Sequence, residues 1–296
     1  MDVTYDYYRI FYYVAKYKSF TKAAAILMNN QPNISRSMNN LEKQLGCTLF
    51  IRSNRGITLT PEGKRLYSYV SVAYKQLQSA ELELSNSSRL ESGAVTISAS
   101  ETALHGILLD ALKDFRKDYP GIHIHIFNHH TTQALQSVRN GLADFAVITT
   151  GPQVRKSFKE IRLKEYRERL ICGPKYQFLA NEKHHLADLK QYPYVSLSRN
   201  TVTHEYYTNF YLEHGLIFNP EIEVATSDQL IPVISHDLGI GFVPDILLDN
   251  YPNSNDIYEI PLHENIPSRN ICLVEDINHP LSGAATKLKN MLTSLE

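Results

Sequence analysis

Cysteine is scarce in this sequence and long greasy runs are missing. Only Cys47, Cys172 and Cys272 occur among 296 residues. They are too few and too scattered for a disulfide scaffold or a CxxC metal knuckle, and an odd number fits a reducing cytoplasm. Nowhere do about eighteen apolar residues follow one another, and Met1 leads into the acidic, tyrosine-rich stretch Asp2–Tyr8. Neither a membrane span nor a secretory signal is therefore expected. Proline is absent between Pro61 and Pro120, and glycine between Gly63 and Gly93, which leaves room for one long helix. There is no G-x-S-x-G elbow and no G-x-x-x-x-G-K-[ST] loop, and Gly239-x-Gly241 runs into Pro244 without a third glycine. No catalytic residue and no cofactor is assigned, and a non-enzyme is expected.

What is present describes an ordinary globular chain, 43% hydrophobic, 21% charged and 10% aromatic, with length for two or three domains. The net charge of −1 hides a segregation. Residues 1–90 hold twelve Lys/Arg against six Asp/Glu, whereas residues 91–296 hold eighteen against twenty-five. A basic end on an acidic body suits a nucleic-acid-binding module joined to something else.

The first sixty residues read as short helices and a hairpin. Ile10, Val14 and Tyr17 recur at helical spacing in a first helix, and Ser19 or Thr21 can cap a second that contains Ala23, Ala24 and Leu27. In a third, Ile34, Met38, Leu41 and Leu45 form one apolar stripe while Pro32, Arg36, Asn39 and Lys43 face away, and Gly46 ends the helix. Leu49–Ile51 and Ile57–Leu59 are β-prone runs around a basic tip containing Arg52 and Arg55. A helix pair with a polar outer face fits a major groove. The residues expected on DNA are Gln31, Pro32, Asn33, Ser35, Arg36, Asn39, Asn40, Lys43, Arg52 and Arg55.

Thr60-Pro61 then supplies an N-cap and a first-turn proline. Leu66, Val70, Ala73, Leu77, Ala80 and Leu84 follow at alternating steps of four and three, a heptad seam that calls for a partner helix. The flanking Lys, Gln, Glu and Ser leave no second apolar face, so dimerisation is expected. Ser85–Ser88 and Ser92-Gly93 mark a linker. Beyond it, apolar strands at 95–99, 122–127, 145–149, 169–172, 194–197, 221–225, 240–243 and 270–274 are interspersed with helices at 102–118, 132–141, 203–214, 227–236 and 282–294. Such alternation implies α/β units with a largely parallel sheet, and the length allows two lobes that the chain crosses near 166–175.

The ordered set Ser19-Phe20-Thr21-Lys22-Ala23-Ala24, Leu27, Gln31-Pro32, Ser35, Met38, Leu41-Glu42, Leu45-Gly46, Leu49-Phe50, Arg52, Arg55-Gly56, Leu59-Thr60 and Gly63 closely resembles the winged helix-turn-helix of LysR-type transcriptional regulators. Ala143–Val147 and Gly239–Pro244 resemble stretches of that family's effector-binding domain. Asn30 stands where the family usually has Ser and can still cap the helix, and Asn33, where a small apolar residue is common, bears on which bases are read. The resemblance implies a winged helix-turn-helix at 1–60, a dimerising linker helix and hinge at 61–92, and at 93–296 a two-lobed α/β domain resembling type II periplasmic binding proteins. Lobe 1 is expected at about 93–165 and 272–296, lobe 2 at about 166–271. It also implies a homodimer or homotetramer on double-stranded promoter DNA, answering a small molecule held between the lobes.

Strand-to-helix junctions fall at Ser98–Thr102, Asn128–Thr132, Ser196–Thr201 and Thr226-Ser227. Each places hydroxyls and free N–H groups at a helix start, where anions bind. Any one of them alone reads better as a plain cap, and only several facing one cleft would make a ligand site. The effector-binding candidates are Ser98, Ser100, Thr102, His130, Thr131, Ser198, Arg199, Thr201 and Thr226, for a polar or anionic ligand. Of the twelve histidines, His123 and His125 fit an exposed sheet face better than a metal site, so no metal is expected. Two other readings are a small-solute-binding module without DNA activity and a redox-sensing regulator using Cys172 and Cys272. A secreted solute-binding protein would carry a signal peptide and no basic helical head, and buried thiols are the commoner fate of cysteines in apolar strands.

Overall fold

The computed structural model describes residues 3–53, 56–85, 93–149, 157–249, 251 and 256–294. The chain divides into two units, Met1–Ser85 and Asn86–Glu296. No helix among the described residues is long and apolar enough to cross a membrane.

The first unit runs α1 (Tyr5–Tyr17), α2 (Phe20–Ile26), α3 (Gln31–Leu45), β1 (Phe50–Ser53), β2 (Gly56–Leu59) and α4 (Pro61–Ser85). Ser19 Oγ accepts the Lys22 N–H at 3.2 Å and Asn30 Oδ1 accepts the Asn33 N–H at 2.9 Å, so each helix of the pair starts on a side-chain cap. Such caps stabilise by about 1 kcal/mol each. Gly46, at φ 69°, ends α3 in the left-handed conformation. Ile34, Met38 and Leu41 are fully buried. Glu42 Oε1 accepts the N–H groups of Leu49 and Phe50 at 2.7 and 3.1 Å, tying α3 to the antiparallel β1–β2 hairpin. Thr60 caps α4 by accepting the Gly63 N–H at 2.9 Å. A Cβ on Gly63 would stand 2.1 Å from the Leu49 carbonyl oxygen, so only glycine fits that approach.

Two sequence expectations change here. The buried face of α1 is Phe11, Tyr12, Val14 and Ala15, with Ile10 half-buried and Tyr17 exposed, because α1 packs against α2, α3 and α4 at once. The seam helix does have a second apolar face. Val70 and Tyr74 of α4 are buried in the head, where the Tyr74 ring lies 4.5 Å from that of Tyr12 and its hydroxyl 3.0 Å from Tyr13 Oη. Tyrosine supplied a face that a count of aliphatic residues passed over.

The second unit begins with β3 (Gly93–Ala99), α5 (Glu101–Ala103), a π-helical turn (Leu104–Leu108), α6 (Leu109–Asp118), β4 (Ile122–Asn128), α7 (Thr131–Arg139), β5 (Phe145–Thr149) and β6 (Phe158–Tyr166). It continues with β7 (Glu168–Cys172), β8 (Val195–Leu197), α8 (Val202–Glu213), β9 (Ile222–Val224), a 3-10 turn (Ser227–Gln229), α9 (Leu230–Ser235), β10 (Gly241–Pro244), α10 (Asp245–Asp249), β11 (Tyr258–Glu259), β12 (Arg269–Asp276) and α11 (Gly283–Thr293). One lobe is built on the sheet β4-β3-β5-β12-β6, the other on β10-β7-β11 and β8-β9.

The expected largely parallel sheet is in fact mixed. β3 runs parallel to β4 and β5, and β8 parallel to β9, whereas β12 is antiparallel to β5 and β6, and β7 to β10 and β11. β12 is the strand on which the chain returns from the second lobe, so it enters the first sheet against the direction of its neighbours. β6 was not expected at all. Its mostly half-buried and exposed residues, and a register shift opposite Ile271/Cys272, break the alternation that announces a strand.

The π turn joins α5 to α6 in one continuous helix, and Gly106 within it passes close to the sheet and α10. A Cβ there would meet Ile271 Cδ1 at 2.6 Å and Ile246 Cδ1 at 3.0 Å, while the Gly106 carbonyl accepts from Lys164 Nζ at 3.1 Å. Asp144 Oδ2 accepts the Thr96 N–H at 2.7 Å, locking the start of β5 to β3. Where β6 passes into β7 and β12 returns, Arg269 donates through Nη1 to Glu168 Oε1 at 2.6 Å, with the two side chains 3% and 0% exposed. The Arg269 guanidinium also lies 4.8 Å over the Tyr206 ring.

Candidate functional site

In the head, α3 presents Gln31, Pro32, Asn33, Arg36, Asn39 and Lys43 as exposed residues, with Ser35 half-buried. Asn40, grouped with them from the sequence, is half-buried and donates through Nδ2 to the Tyr7 hydroxyl at 3.3 Å, so that amide is turned toward α1. Asn33 Nδ2 donates to Asn29 Oδ1 at 3.1 Å, which fixes the amide at the helix start. Arg55 lies outside the described residues, as does the side chain of Arg52.

A groove on the same unit is lined by Tyr5, Tyr8, Arg9, Leu66, Tyr69, Val70, Ala73 and Tyr74. Of the seam residues, Leu66 is half-buried, Val70 buried, Ala73 exposed and Leu77 44% exposed; the side chains of Ala80 and Leu84 lie outside the described residues.

In the second unit a cleft between the lobes encloses about 430 Å³ of atom-free space, part of it open to solvent. Four helical starts face it. The lining includes Ser100 and Thr102 at α5, His130 and Thr131 at α7, Thr201 and Thr203 at α8, and Thr226 and Ser227 before α9. The first N–H groups of a helix have no acceptor within it, so the cleft is rich in donors.

Many of its hydroxyls are engaged in holding the fold. Thr131 Oγ1 donates to the Thr149 carbonyl at 2.8 Å, Thr201 Oγ1 donates to the Ser198 carbonyl at 2.8 Å and caps α8, and Thr226 forms a capping box with Gln229. Thr203 Oγ1 accepts from Arg269 Nη2 at 3.2 Å, which leaves its own proton free to donate. Thr102 is 3% exposed and lines the cleft. His129 Nδ1 is hydrogen-bonded to Ser98 Oγ at 2.8 Å and to Ser137 Oγ at 3.3 Å. His130 Nδ1 is buried without a partner among the described residues. Burial lowers the pKa of both imidazoles, and for His130 the neighbouring His129 lowers it further.

Three residues expected around the ligand stand elsewhere. Ser98 is fully buried behind His129, Ser198 Oγ donates to the Val224 carbonyl at 3.1 Å, and Arg199, largely exposed, pairs with Glu223 at 3.0 Å. Their partners lie more than twenty residues away in sequence and were invisible from local spacing. Conversely Glu101, Asn128, His129, Thr149, Thr203 and Ser227 line the cleft. Glu101, Asn128, His129 and Ser227 sit inside the junction stretches, where the sequence already sets His129 beside His130 as a ligand-contacting or pH-sensitive group and Ser227 as a junction hydroxyl. Thr149 and Thr203 gave no signal, because only the packing of the lobes brings them to the cleft.

His123 and His125 are exposed on β4, and no group of three or more metal-ligating side chains is found among the described residues. Cys172 and Cys272 are both buried, one on β7 and the other on β12 in the opposite lobe's sheet. Burial pushes the Cys172 thiol up to about 11, and its Sγ lies 3.3 Å from the Tyr176 carbonyl. A thiol of that kind is a poor nucleophile and a poor redox sensor.

A winged helix-turn-helix head with a polar recognition helix, joined to a two-lobed domain with a donor-lined cleft, defines a ligand-responsive DNA-binding protein. Residues 5–64 match the family described as bacterial regulatory helix-turn-helix protein, lysR family, and residues 88–295 match the LysR substrate binding domain. The chain belongs to the LysR family of transcriptional regulators. Among its relatives, the HTH-type transcriptional activator IlvY of Haemophilus influenzae is 26% identical over 87% of this chain and 89% of its own. A probable RuBisCO transcriptional regulator of Cyanidioschyzon merolae is 27% identical over 96% of both. The fold is shared with CbnR, solved in complex with its target DNA, at a TM-score of 0.74 and 15% identity over 100% of both chains. A full-length OxyR variant from Pseudomonas aeruginosa superposes with a TM-score of 0.69 at 17% identity, covering 99% of this chain and 94% of that one.

Proposed function

We propose that this regulator works in the cytoplasm as a homodimer or homotetramer, reads promoter DNA with α3 and the β1–β2 hairpin, and carries no catalytic step. A small polar or anionic effector in the inter-lobe cleft changes its DNA binding or its effect on transcription. The observation that carries the reading is the exposed polar face of α3, set on a capped helix pair whose opposite stripe buries Ile34, Met38 and Leu41. Arg36 projects where a guanidinium bonds a guanine edge or a phosphate, and Gln31 and Asn33 stand at the helix end that approaches bases. CbnR, of the same fold, was solved on its target DNA, and that supports the same use of the head here.

A ligand that touches both lobes favours one lobe angle, and its differential affinity for the two arrangements limits how far the equilibrium moves. The helix starts at the cleft favour a ligand carrying negative charge. The test of the DNA reading is a pair of variants on the mapped promoter fragment. Arg36→Ala should cost about 1–3 kcal/mol and relax discrimination at one base pair, whereas Arg55→Ala should weaken all sequences alike and lower the salt slope by roughly one. Unchanged affinity in both variants would refute this use of the head.

A further inference from the structure

The charges around the cleft are lopsided. Among the described residues its lining has no lysine or arginine and a single carboxylate, Glu101. That side chain is 13% exposed; Oε1 is paired with His105 Nε2 at 3.0 Å and Oε2 accepts from Asn128 Nδ2 at 2.8 Å. A half-buried carboxylate held by an amide and an imidazole retains unfilled lone pairs and gains from a cation brought beside it. A purely anionic ligand would satisfy the helix starts but meet Glu101 at close range, where like charges repel strongly. The next residue, Thr102, offers the opposite function, a hydroxyl that can donate from the same wall. Across the cleft, Thr203 has its oxygen occupied by Arg269 and its proton available, at the start of α8.

Acceptor and donor therefore stand on adjacent residues, an arrangement suited to an ammonium and a carboxylate borne on one carbon. We propose that the effector is a zwitterion of the α-amino acid class, with its ammonium on Glu101 and its carboxylate on the hydroxyls of Thr102 and Thr203 and the α8 start. The unpartnered Nδ1 of His130 is left to bond a polar group on the side chain. This rests on the reading of the cleft as the effector site.

The test is calorimetry on the full-length protein with the proteinogenic L-amino acids, each paired with its 2-hydroxy-acid counterpart, which keeps the carboxylate and loses the positive charge. At least one amino acid is expected to bind on the order of tenfold or more tighter than its hydroxy acid. Glu101→Gln should erase that difference, and Thr102→Val should weaken the amino acid. If hydroxy acids bind as well as amino acids and Glu101→Gln tightens them, the effector is a plain anion; the zwitterion is overturned while the cleft stands. If no probe binds, or binding is indifferent to both variants, the zwitterion is overturned and the cleft assignment loses its support. The comparison of paired ligands on the unaltered protein keeps the proposal falsifiable should Glu101→Gln fail to fold.

Discussion

At the scale of single residues, the turn between α2 and α3 contains a conformational misfit. Met28 has φ 50° and is 96% exposed, so its side chain contributes no burial while its backbone sits where a Cβ crowds the carbonyl. Glycine relieves that strain but loses more freedom on folding, and the balance favours glycine slightly. Met28→Gly is expected to stabilise the chain by up to about 1 kcal/mol, measured as a raised urea midpoint with an unchanged slope. A lowered midpoint would show that the turn is not strained there. His129 and His130 make the second residue-scale case. Their pKa values are lowered in the folded state, so below about 6.5 the unfolded chain takes up protons that the folded one refuses. Their contribution is complete above that pH and is lost as pH falls through the folded values. Melting temperatures should drop on acidification toward pH 5, and the drop should be shallower in His129→Asn, which keeps a short polar side chain beside Ser98 and Ser137.

Among elements, the crossing of β6, β7 and β12 is where a substitution costs most. Arg269 and Glu168 are paired at 2.6 Å out of reach of water, yet Arg269 Nε and Glu168 Oε2 are left without partners among the described residues. A pair built this way contributes little net stability, but removing one member strands a buried charge. Arg269→Met should therefore destabilise by roughly 3–5 kcal/mol, and adding Glu168→Leu should recover most of the loss; urea denaturation of the single and double variants reads both. Equal losses in the two variants would mean that packing rather than charge dominates. Because Arg269 also bonds Thr203 at the cleft, this crossing links the cleft-facing start of α8 to the strands that join the lobes.

For the whole molecule, the question is what covers α4. Leu77 is 44% exposed and Tyr69 is 72% exposed on a helix of 25 residues, while Val70 and Tyr74 are held by the head. The seam is thus shared between the head's own core and a face turned outward, which a second α4 would cover. Leu77→Asp leaves the head core untouched and sets a charge in that face. Sedimentation at micromolar concentration should show dissociation with the head still folded; an intact assembly would place the subunit contact elsewhere.

The sequence alone determined the elements whose cause is local. The stripe of Ile34, Met38 and Leu41, the Asn30 cap and the Gly46 stop specify α3 and its outward polar face, because helical period and capping act within a few residues. The segregation of charge, the Thr60-Pro61 start of α4 and most strands of the second unit were legible for the same reason. Tertiary structure decided whatever depends on partners distant in the chain. It turned Asn40 toward Tyr7, engaged Ser198 and Arg199 with the β9 strand, and brought Glu101, Thr203 and His129 to one cleft. It also set β12 antiparallel to its neighbours, since a strand's direction follows from where the chain has been, and spacing along the sequence carries no record of that path.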